Sequence, residues 1–141
     1  YLDLVPPAAR RLAAHHTDDD VARLRAQRQR CVVAATAIAF LVESTAFSLL
    51  LVELAGNPVQ LVLCQLLAEV LQAHRVAMST YFEAKPRVQA KRTAEVLEST
   101  ATVIAMIERG DGEVEAFLHR SLDSHMRKAL EVPMGDAVQL V

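Results

Sequence analysis

Small hydroxyl side chains and one imidazole interrupt the apolar faces of three predicted helices. On a helix that turns about 100° per residue, Ser44 and Ser48 lie in the middle of the apolar side of the third predicted helix. Thr100 has the same position on the fifth, and Ser121 and His125 have it on the sixth. Three helices therefore direct polar groups at one shared interior.

Two interpretations of these five residues are open. Serine and threonine hydroxyls in helices often bond to a carbonyl oxygen of the preceding turn, and a core histidine needs only a hydrogen-bond partner. Alternatively, the five side chains are polar points on the wall of a cavity that encloses a small molecule between helices. In the second interpretation all five are ligand-binding residues.

The rest of the sequence contains no arrangement typical of an enzyme or a metal site. It has no Gly-rich phosphate loop, no nucleophile elbow and no Cys-x-x-Cys. His119 and His125 lie on different faces of one helix, so they cannot chelate an ion together as an i, i+4 pair would. Cys31 and Cys64 lie in separate apolar runs without metal-ligand spacing, which indicates reduced core residues. We therefore predict no catalytic residues, no metal and no cofactor.

Capping residues divide the chain into helices. Thr17 and the three aspartates after it are typical of an N-cap with an acidic first turn. The string Gly56-Asn57-Pro58 combines a left-handed helix end, an N-cap and a first-turn proline. Gly110-Asp111 repeats this pattern, and Lys85-Pro86 marks a further break. The predicted helices cover 4–15, 18–33, 35–55, 58–79, 87–109 and 112–131.

Length and composition favour one all-α domain. The chain has 141 residues, with 4 Gly, 5 Pro and no Trp, and its richness in Ala, Leu and Val favours helices over a sandwich or barrel. Short connections make neighbouring helices antiparallel. We predict an antiparallel bundle of about six helices over 1–132 and a tail over 133–141. The net charge of −2 does not suggest a nucleic-acid surface.

The fourth predicted helix carries an apolar stripe. Its valines and leucines follow the i, i+3, i+4 rule, while most of its Gln and Glu residues fall elsewhere. We expect this stripe to face the core. It consists of Val59, Val62, Leu63, Leu66, Leu67, Val70 and Leu71.

One apolar segment is long enough to cross a bilayer. Residues 31–52 contain Glu43 as their only charged side chain. A carboxylate near the middle of a membrane span costs roughly 2.5 to 3.5 kcal/mol on insertion scales. A buried central helix explains the segment at least as well, so we predict no membrane partner. The reduced cysteines indicate a cytoplasmic protein.

Several segments, in chain order, resemble the FCD domain, the effector-sensing C-terminal domain of the FadR subgroup of GntR-type bacterial transcription regulators. Phe47 to Pro58 (FSLLLVELAGNP) resembles the family pattern D-x-x-F-H-x-x-L-x-x-x-x-G-N-P. Pro6 to Ala14 is similar, with one extra residue, to the family's first-helix pattern E-P-x-A-A-x-L-A-A, and Thr17 to Leu24 is similar to the T-x-x-D-L-x-x-L start of its second helix. Arg92 to Asp111 resembles a stretch ending E-H-x-x-I-x-x-A-I-x-x-G-D, and Ala116 to Leu122 resembles A-x-M-x-x-H-L.

The departures from the family pattern concern a metal site. Many members hold a divalent ion through an Asp and a His on the third helix and one His on each of the fifth and sixth. The resemblance places these ligands at Ser44, Ser48, Thr100 and Ser121, or at Leu122 in a register shifted by one. Hydroxyl groups do not replace imidazole or carboxylate around zinc. The resemblance therefore implies a metal-free site.

The resemblance also implies a function. We expect an FCD-like sensor and homodimerisation domain that binds a small organic effector, with an acyl or other apolar ligand plausible by analogy with fatty-acyl-responsive members. DNA would be bound only through a winged-helix domain that these 141 residues do not contain. The alternative is a vestigial dimerisation module without a ligand. A filled, close-packed interior around the four hydroxyl positions would favour that alternative.

Overall fold

The computed structural model describes residues 3–131 and consists there of helices without strands. This confirms the predicted all-α bundle, with seven helices where about six were expected. The helices are α1 (Val5–His15), α2 (Asp18–Val32), α3 (Ala37–Leu54), α4 (Pro58–Val70), α5 (Gln72–Glu83), α6 (Pro86–Glu108) and α7 (Val114–Leu130). The predicted tail over 133–141 lies outside the described residues.

The predicted caps are present at the starts of α2 and α4. Thr17 Oγ1 accepts a hydrogen bond from the backbone N–H of Asp20 at 3.1 Å, and the Asp20 carboxylate accepts one from the Thr17 N–H at 2.9 Å. Asn57 Oδ1 accepts from the N–H groups of Val59 and Gln60. Gly56 has a φ of +82°, a left-handed conformation that glycine adopts without a Cβ penalty. These short-range signals therefore act as the sequence indicates.

The predicted single helix over 58–79 is wrong, because the chain bends by 53° between α4 and α5. Leu71 stands at the bend with a ψ of 0°. The guanidinium of Arg75 donates to the carbonyl oxygen of Ala68 at 2.5 Å. A carbonyl at a helix end needs such a partner, so Arg75 stabilises the bend and α5 turns back over α3.

The expected orientation of the α4 stripe is also wrong. Val59, Leu66 and Val70 are 67%, 54% and 76% exposed, and the other members of the stripe are exposed as well. The buried residues of α4 are Cys64 and Ala68. Because these side chains are small and one turn apart, α4 packs closely on α3 through them, and its larger aliphatic side chains point to solvent.

The core lies around α3, which packs against α1, α2, α4 and α5. Its fully buried members include Leu51 and Val52 of α3 and Ile107 of α6. Among the described helices α3 is also long and apolar enough to span a membrane, with a mean hydropathy of 1.9, and the bent α4–α5 pair passes the same test together. The Glu43 carboxylate on α3 pairs with Arg30 at 3.2 Å, which ties α3 to α2 within the bundle.

Candidate functional site

A cavity of about 390 Å³ lies between α3, α5, α6 and α7, with the end of α4 closing one side. Its walls are mostly aliphatic and aromatic. The lining residues are Phe40, Leu41, Ser44, Thr45, Phe47, Ser48 and Leu51; Ala68, Leu71, His74, Arg75 and Met78; Arg92, Val96, Ser99, Thr100 and Val103; and Leu118, Ser121, Leu122, His125 and Met126. Enclosure by four helices gives the space a defined shape.

All five residues singled out in the sequence line this one cavity. They are Ser44, Ser48, Thr100, Ser121 and His125. The periodicity of three separate helices therefore located one shared space. The family's sixth-helix ligand corresponds to Ser121 or, in the shifted register, to Leu122. Both residues lie on the cavity wall, so either register places this position at the cavity.

Two of the hydroxyls bond to the backbone of their own helices. Ser44 Oγ donates to the carbonyl of Leu41 at 3.1 Å, and Thr100 Oγ1 donates to that of Leu97 at 3.0 Å. A hydroxyl group that donates to its own helix can therefore also line a cavity, because its oxygen can still accept a hydrogen bond. These residues offer acceptors to a molecule in the cavity.

A hydrogen bond between two helices forms part of the cavity wall. The hydroxyl oxygens of Ser99 on α6 and Ser121 on α7 lie 3.0 Å apart. The sequence analysis did not single out Ser99, although it lies one turn from Val96 on the predicted buried face. This bond ties α6 to α7 at the cavity wall.

Three basic residues of the cavity were not predicted from the sequence, namely Arg75, Arg92 and His74. Arg92 had a usable signal, because it lies four and eight residues before the inward-facing Val96 and Thr100. Arg75 and His74 had none. They reach the cavity only because the chain bends at Leu71, and a straight helix over 58–79 would place them elsewhere.

Among the described residues Arg92 forms no salt bridge, and its guanidinium is held by an aromatic ring and a carbonyl oxygen. Its guanidinium carbon lies 5.3 Å from the centre of the Phe82 ring, a cation–π contact. One guanidinium nitrogen lies 3.4 Å from the carbonyl oxygen of His125. Burial lowers the pKa of Arg92, and the charge of Glu95 opposes this effect. Arginine nevertheless stays protonated in proteins, so a positive charge faces the cavity.

His125 lies beside this charge and is disposed to remain neutral. Burial is the main cause that lowers its pKa below the ordinary 6.5, and the charges of Arg92 and Lys128 lower it further, while Glu95 acts in the opposite direction. A neutral imidazole can donate from one nitrogen and accept at the other. His125 can therefore bind a polar end of a ligand without adding a second full charge.

The lining residues include no aspartate or glutamate. Arg75 and Arg92 thus place two positive charges on the wall of an otherwise apolar cavity, and His74 and His125 add ring nitrogens to it. A molecule with an aliphatic body and a negatively charged or hydrogen-bond-accepting end would complement both parts. A cation would be repelled, since its charge has the sign of the two arginines.

The donor chemistry does not fit a divalent metal ion. Within residues 3–131, no three His, Cys, Asp or Glu side chains come together. The positions that the family resemblance assigns to metal ligands carry neutral hydroxyls, and those of Ser44 and Thr100 donate to carbonyl oxygens. Zinc is bound by about four N, O or S donors with imidazole, thiolate or carboxylate character. These side chains do not supply such a set.

Comparison with known proteins gives one match. The family model described as FCD domain matches residues 3–126 of the 141. FCD is the C-terminal domain of GntR-family regulators, and no DNA-binding domain is found within this sequence. Neither a curated protein nor a solved structure matches.

Proposed function

The chain belongs to the FCD domain family, the regulatory effector-binding domains of GntR-type transcription regulators, and from this premise we propose that its cavity binds a small organic molecule without a metal ion. The ligand has a mostly aliphatic body and an anionic end, as in a fatty acyl carboxylate. Ser44, Ser48, Thr100, Ser121 and His125 are its proposed polar contacts.

The cavity is the observation that carries this proposal. Its volume of about 390 Å³ lies within the roughly 300–1,000 Å³ range of small-molecule sites. Apolar walls exclude ligands that are polar throughout, because burying unpaired polar groups costs about 1–3 kcal/mol each. An acyl chain meets no such cost.

Arg92 is the proposed anchor of the anionic end. A carboxylate at the Arg92 guanidinium would form charge-assisted hydrogen bonds, which are about twice as strong as neutral ones. Burial strengthens such bonds further, since the local dielectric constant is low. The neutral imidazole of His125 supplies a third donor for the same group.

The alternative of a vestigial module without a ligand is less well supported. That alternative expects a filled interior around the hydroxyl positions, whereas a cavity of about 390 Å³ lies there. A ligand that fills the space would gain van der Waals contacts with its apolar walls.

In an intact regulator, occupancy of the cavity would change DNA affinity through helix movement. Such coupling requires that the effector bind two helix arrangements unequally, which typically amounts to roughly 1 to 3 kcal/mol. FCD domains are regulatory and not catalytic, and we assign no enzymatic activity to this chain. A regulator that acts on bacterial DNA works in the cytoplasm, which is the location we propose.

A ligand screen by thermal unfolding tests the proposal. The purified chain is melted with dodecanoate, with dodecanol of the same chain length, with acyl-CoAs, and with zinc and nickel salts. A ligand that binds only the folded state raises the melting temperature with its concentration. We expect dodecanoate to stabilise the fold more than dodecanol does, and zinc and nickel to have no effect.

Two outcomes would contradict the proposal. Stabilisation by zinc that disappears on substitution of a cavity residue would show a metal site. Absence of stabilisation by every organic ligand, together with unchanged melting of a variant in which the cavity is filled, would favour the vestigial module.

A further inference from the structure

The two arginines of the cavity wall lie near opposite ends of α5. Arg75 belongs to the first turn of this helix, and its guanidinium donates back to the carbonyl oxygen of Ala68 near the end of α4. The guanidinium carbon of Arg92 lies 5.3 Å from the ring centre of Phe82, a residue of the last turn of α5. Because the seven residues from 75 to 82 rise about 10 Å along the helix, the two guanidinium groups are separated by a distance on the order of 10 Å.

Each of these arginines has a histidine beside it on the cavity wall. His74 directly precedes Arg75 in α5, and the backbone carbonyl of His125 accepts the hydrogen bond from Arg92 at 3.4 Å. All four side chains line the cavity. Met78 lies three residues after Arg75 on the same face of α5 and is buried between the two ends. The cavity therefore has an arginine and a histidine at each end and mostly apolar walls between them.

Neither arginine is neutralised by a carboxylate of the protein. Arg75 and Arg92 take part in none of the ion pairs within residues 3–131, and no aspartate or glutamate lines the cavity. A guanidinium group has five N–H donors, and the bond to Ala68 uses only one of those of Arg75. One carboxylate cannot bind both arginines, since a hydrogen bond spans only about 3 Å. The cavity thus offers two separate binding points for negative charge.

We propose that the cavity binds an aliphatic dicarboxylate, with one carboxylate at Arg92 and His125 and the other at Arg75 and His74. This proposal rests on the proposed function and adds a second anionic end to its ligand. Carbon–carbon bonds of about 1.5 Å advance an extended chain by roughly 1.25 Å each, so a diacid of about eight to ten carbons spans the distance between the arginines. Its methylene groups would lie against Met78 and the other apolar side chains of the wall.

A second carboxylate gives a better match to this cavity than the methyl end of a fatty acid does. A methyl group beside Arg75 would displace water from a charged group without replacing its hydrogen bonds, which is unfavourable. A carboxylate at the same place forms charge-assisted hydrogen bonds instead. Because Arg75 also donates to the Ala68 carbonyl, Arg92 remains the stronger anchor. Arg75 then determines the preferred length of the ligand and the preference for a second charge.

Isothermal titration of the complete 141-residue chain with three ligands of the same carbon chain tests the proposal. The ligands are decanedioate, its monomethyl ester and decanoate, which differ only at one end. We expect decanedioate to bind about 10-fold more tightly than either monoanion, because an added hydrogen bond to a charged group has an effect of about this size. Hexanedioate is too short to reach both arginines, so it should show no such gain over its own monomethyl ester.

Substitution of Arg75 separates a role as second anchor from a role in the bend alone. Arg75→Gln should weaken binding of decanedioate about 10-fold and leave binding of the monomethyl ester nearly unchanged, because only the diacid places a charge there. A distorted bend would weaken both ligands equally, and that result would overturn the assignment of Arg75. Arg75→Lys keeps the charge and should retain part of the preference for the diacid. Arg11→Gln changes an exposed arginine of α1 outside the cavity, so it is the control and should retain the full preference.

Equal affinities of the wild type for decanedioate and its monomethyl ester would overturn the proposal, and so would a preference that survives Arg75→Gln. Binding of two hexanoate molecules per chain would show two independent anion sites and would also overturn it. The two levels of the argument fail differently. A chain that binds none of these carboxylates contradicts the proposed function itself, whereas binding of decanoate without any preference for the diacid contradicts only the second anchor.

Discussion

One guanidinium nitrogen of Arg92 lies 3.4 Å from the carbonyl oxygen of His125, joining the start of α6 to the last part of α7 beside the cavity. The length of this contact shows that Arg92 is not committed to a strong partner there. In the proposed function this charge binds the anionic end of the ligand, and a ligand that draws the guanidinium inward would alter the contact between the two helices.

Arg92→Gln should weaken binding of dodecanoate by about 10- to 100-fold, because a hydrogen bond to a charged group contributes about 1.5–3 kcal/mol. Binding of dodecanol should change little, since it carries no charge. Isothermal titration of both ligands measures the difference. Arg10→Gln, on a surface arginine paired with Glu115 at 3.3 Å, is the control and should leave both affinities unchanged. An equal loss for both ligands in Arg92→Gln would argue against an anionic anchor.

Thr100→Leu should fill part of the cavity and abolish stabilisation by ligand. Thr100 is 8% exposed and lines the wall from α6, so a larger side chain occupies space that the ligand needs. Small-to-large changes cost about 1–3 kcal/mol in a packed core, and the open space here should keep the cost at the low end. Thr100→Ser keeps the hydroxyl and is the control. Unchanged ligand affinity in Thr100→Leu would remove Thr100 from the site.

The folded state should lose stability as the pH falls below the ordinary pKa of histidine. The pKa of His125 is lowered by burial first and by the charges of Arg92 and Lys128 next. The unfolded chain therefore binds a proton at this residue more readily than the folded chain does. The contribution of neutral His125 to the free energy of unfolding is fully present above pH 6.5. It is lost as the pH falls from there through the lowered pKa.

Thermal melts of the ligand-free chain between pH 7.5 and 5.5 measure this decline. In His125→Gln it should be smaller than in the wild type. His119→Gln, which changes an exposed histidine of the same helix, should behave like the wild type. Identical pH profiles for all three proteins would show that His125 does not contribute.

Cys31 should be unreactive while the protein is folded. Burial is the main cause that raises the pKa of its thiol from 9.0 to about 11, and the negative charge of Glu43 adds to this. The reactive thiolate is therefore about 100-fold scarcer than in an unperturbed cysteine. Cys64 is buried as well, and burial raises its pKa too. A thiol reagent should label both only after denaturation, and rapid labelling of the folded chain would contradict this expectation.

Gly56→Ala should destabilise the fold by about 1–2 kcal/mol, because an L-residue in the left-handed conformation meets a steric penalty. Gly56 has a φ of +82°, and a Cβ there would have no atom within 4 Å, so the cost is conformational only. Gly112→Ala is the matched control, since a Cβ at Gly112 also meets nothing and its φ is not in the left-handed region. Urea unfolding compares the two. Equal midpoints would mean that the corner relaxes into another turn.

Much of the bundle could be predicted from local signals. Thr17, Gly56, Asn57 and Gly110 act on backbone groups within a few residues, so their effects do not depend on the rest of the fold. The helix over 112–131 begins slightly later, at Val114, because Asp111 and Gly112 belong to the preceding turn. Helical periodicity places Ser44, Thr100 and Ser121 on the apolar sides of their helices. Because the apolar side of each helix faces the interior, these residues lie on the cavity wall.

The amino-acid order alone determined most of the helices and their caps, because these depend on interactions within one or two turns, and it placed Ser44, Ser48, Thr100 and Ser121 on the apolar sides of their helices. The tertiary structure decided which way α4 faces and where Arg75 lies. Periodicity shows that α4 has an apolar side but not which neighbour covers it, and the small side chains of Cys64 and Ala68 let its other side approach α3 more closely. Arg75 reaches the cavity only through the bend at Leu71, where its guanidinium donates to the Ala68 carbonyl.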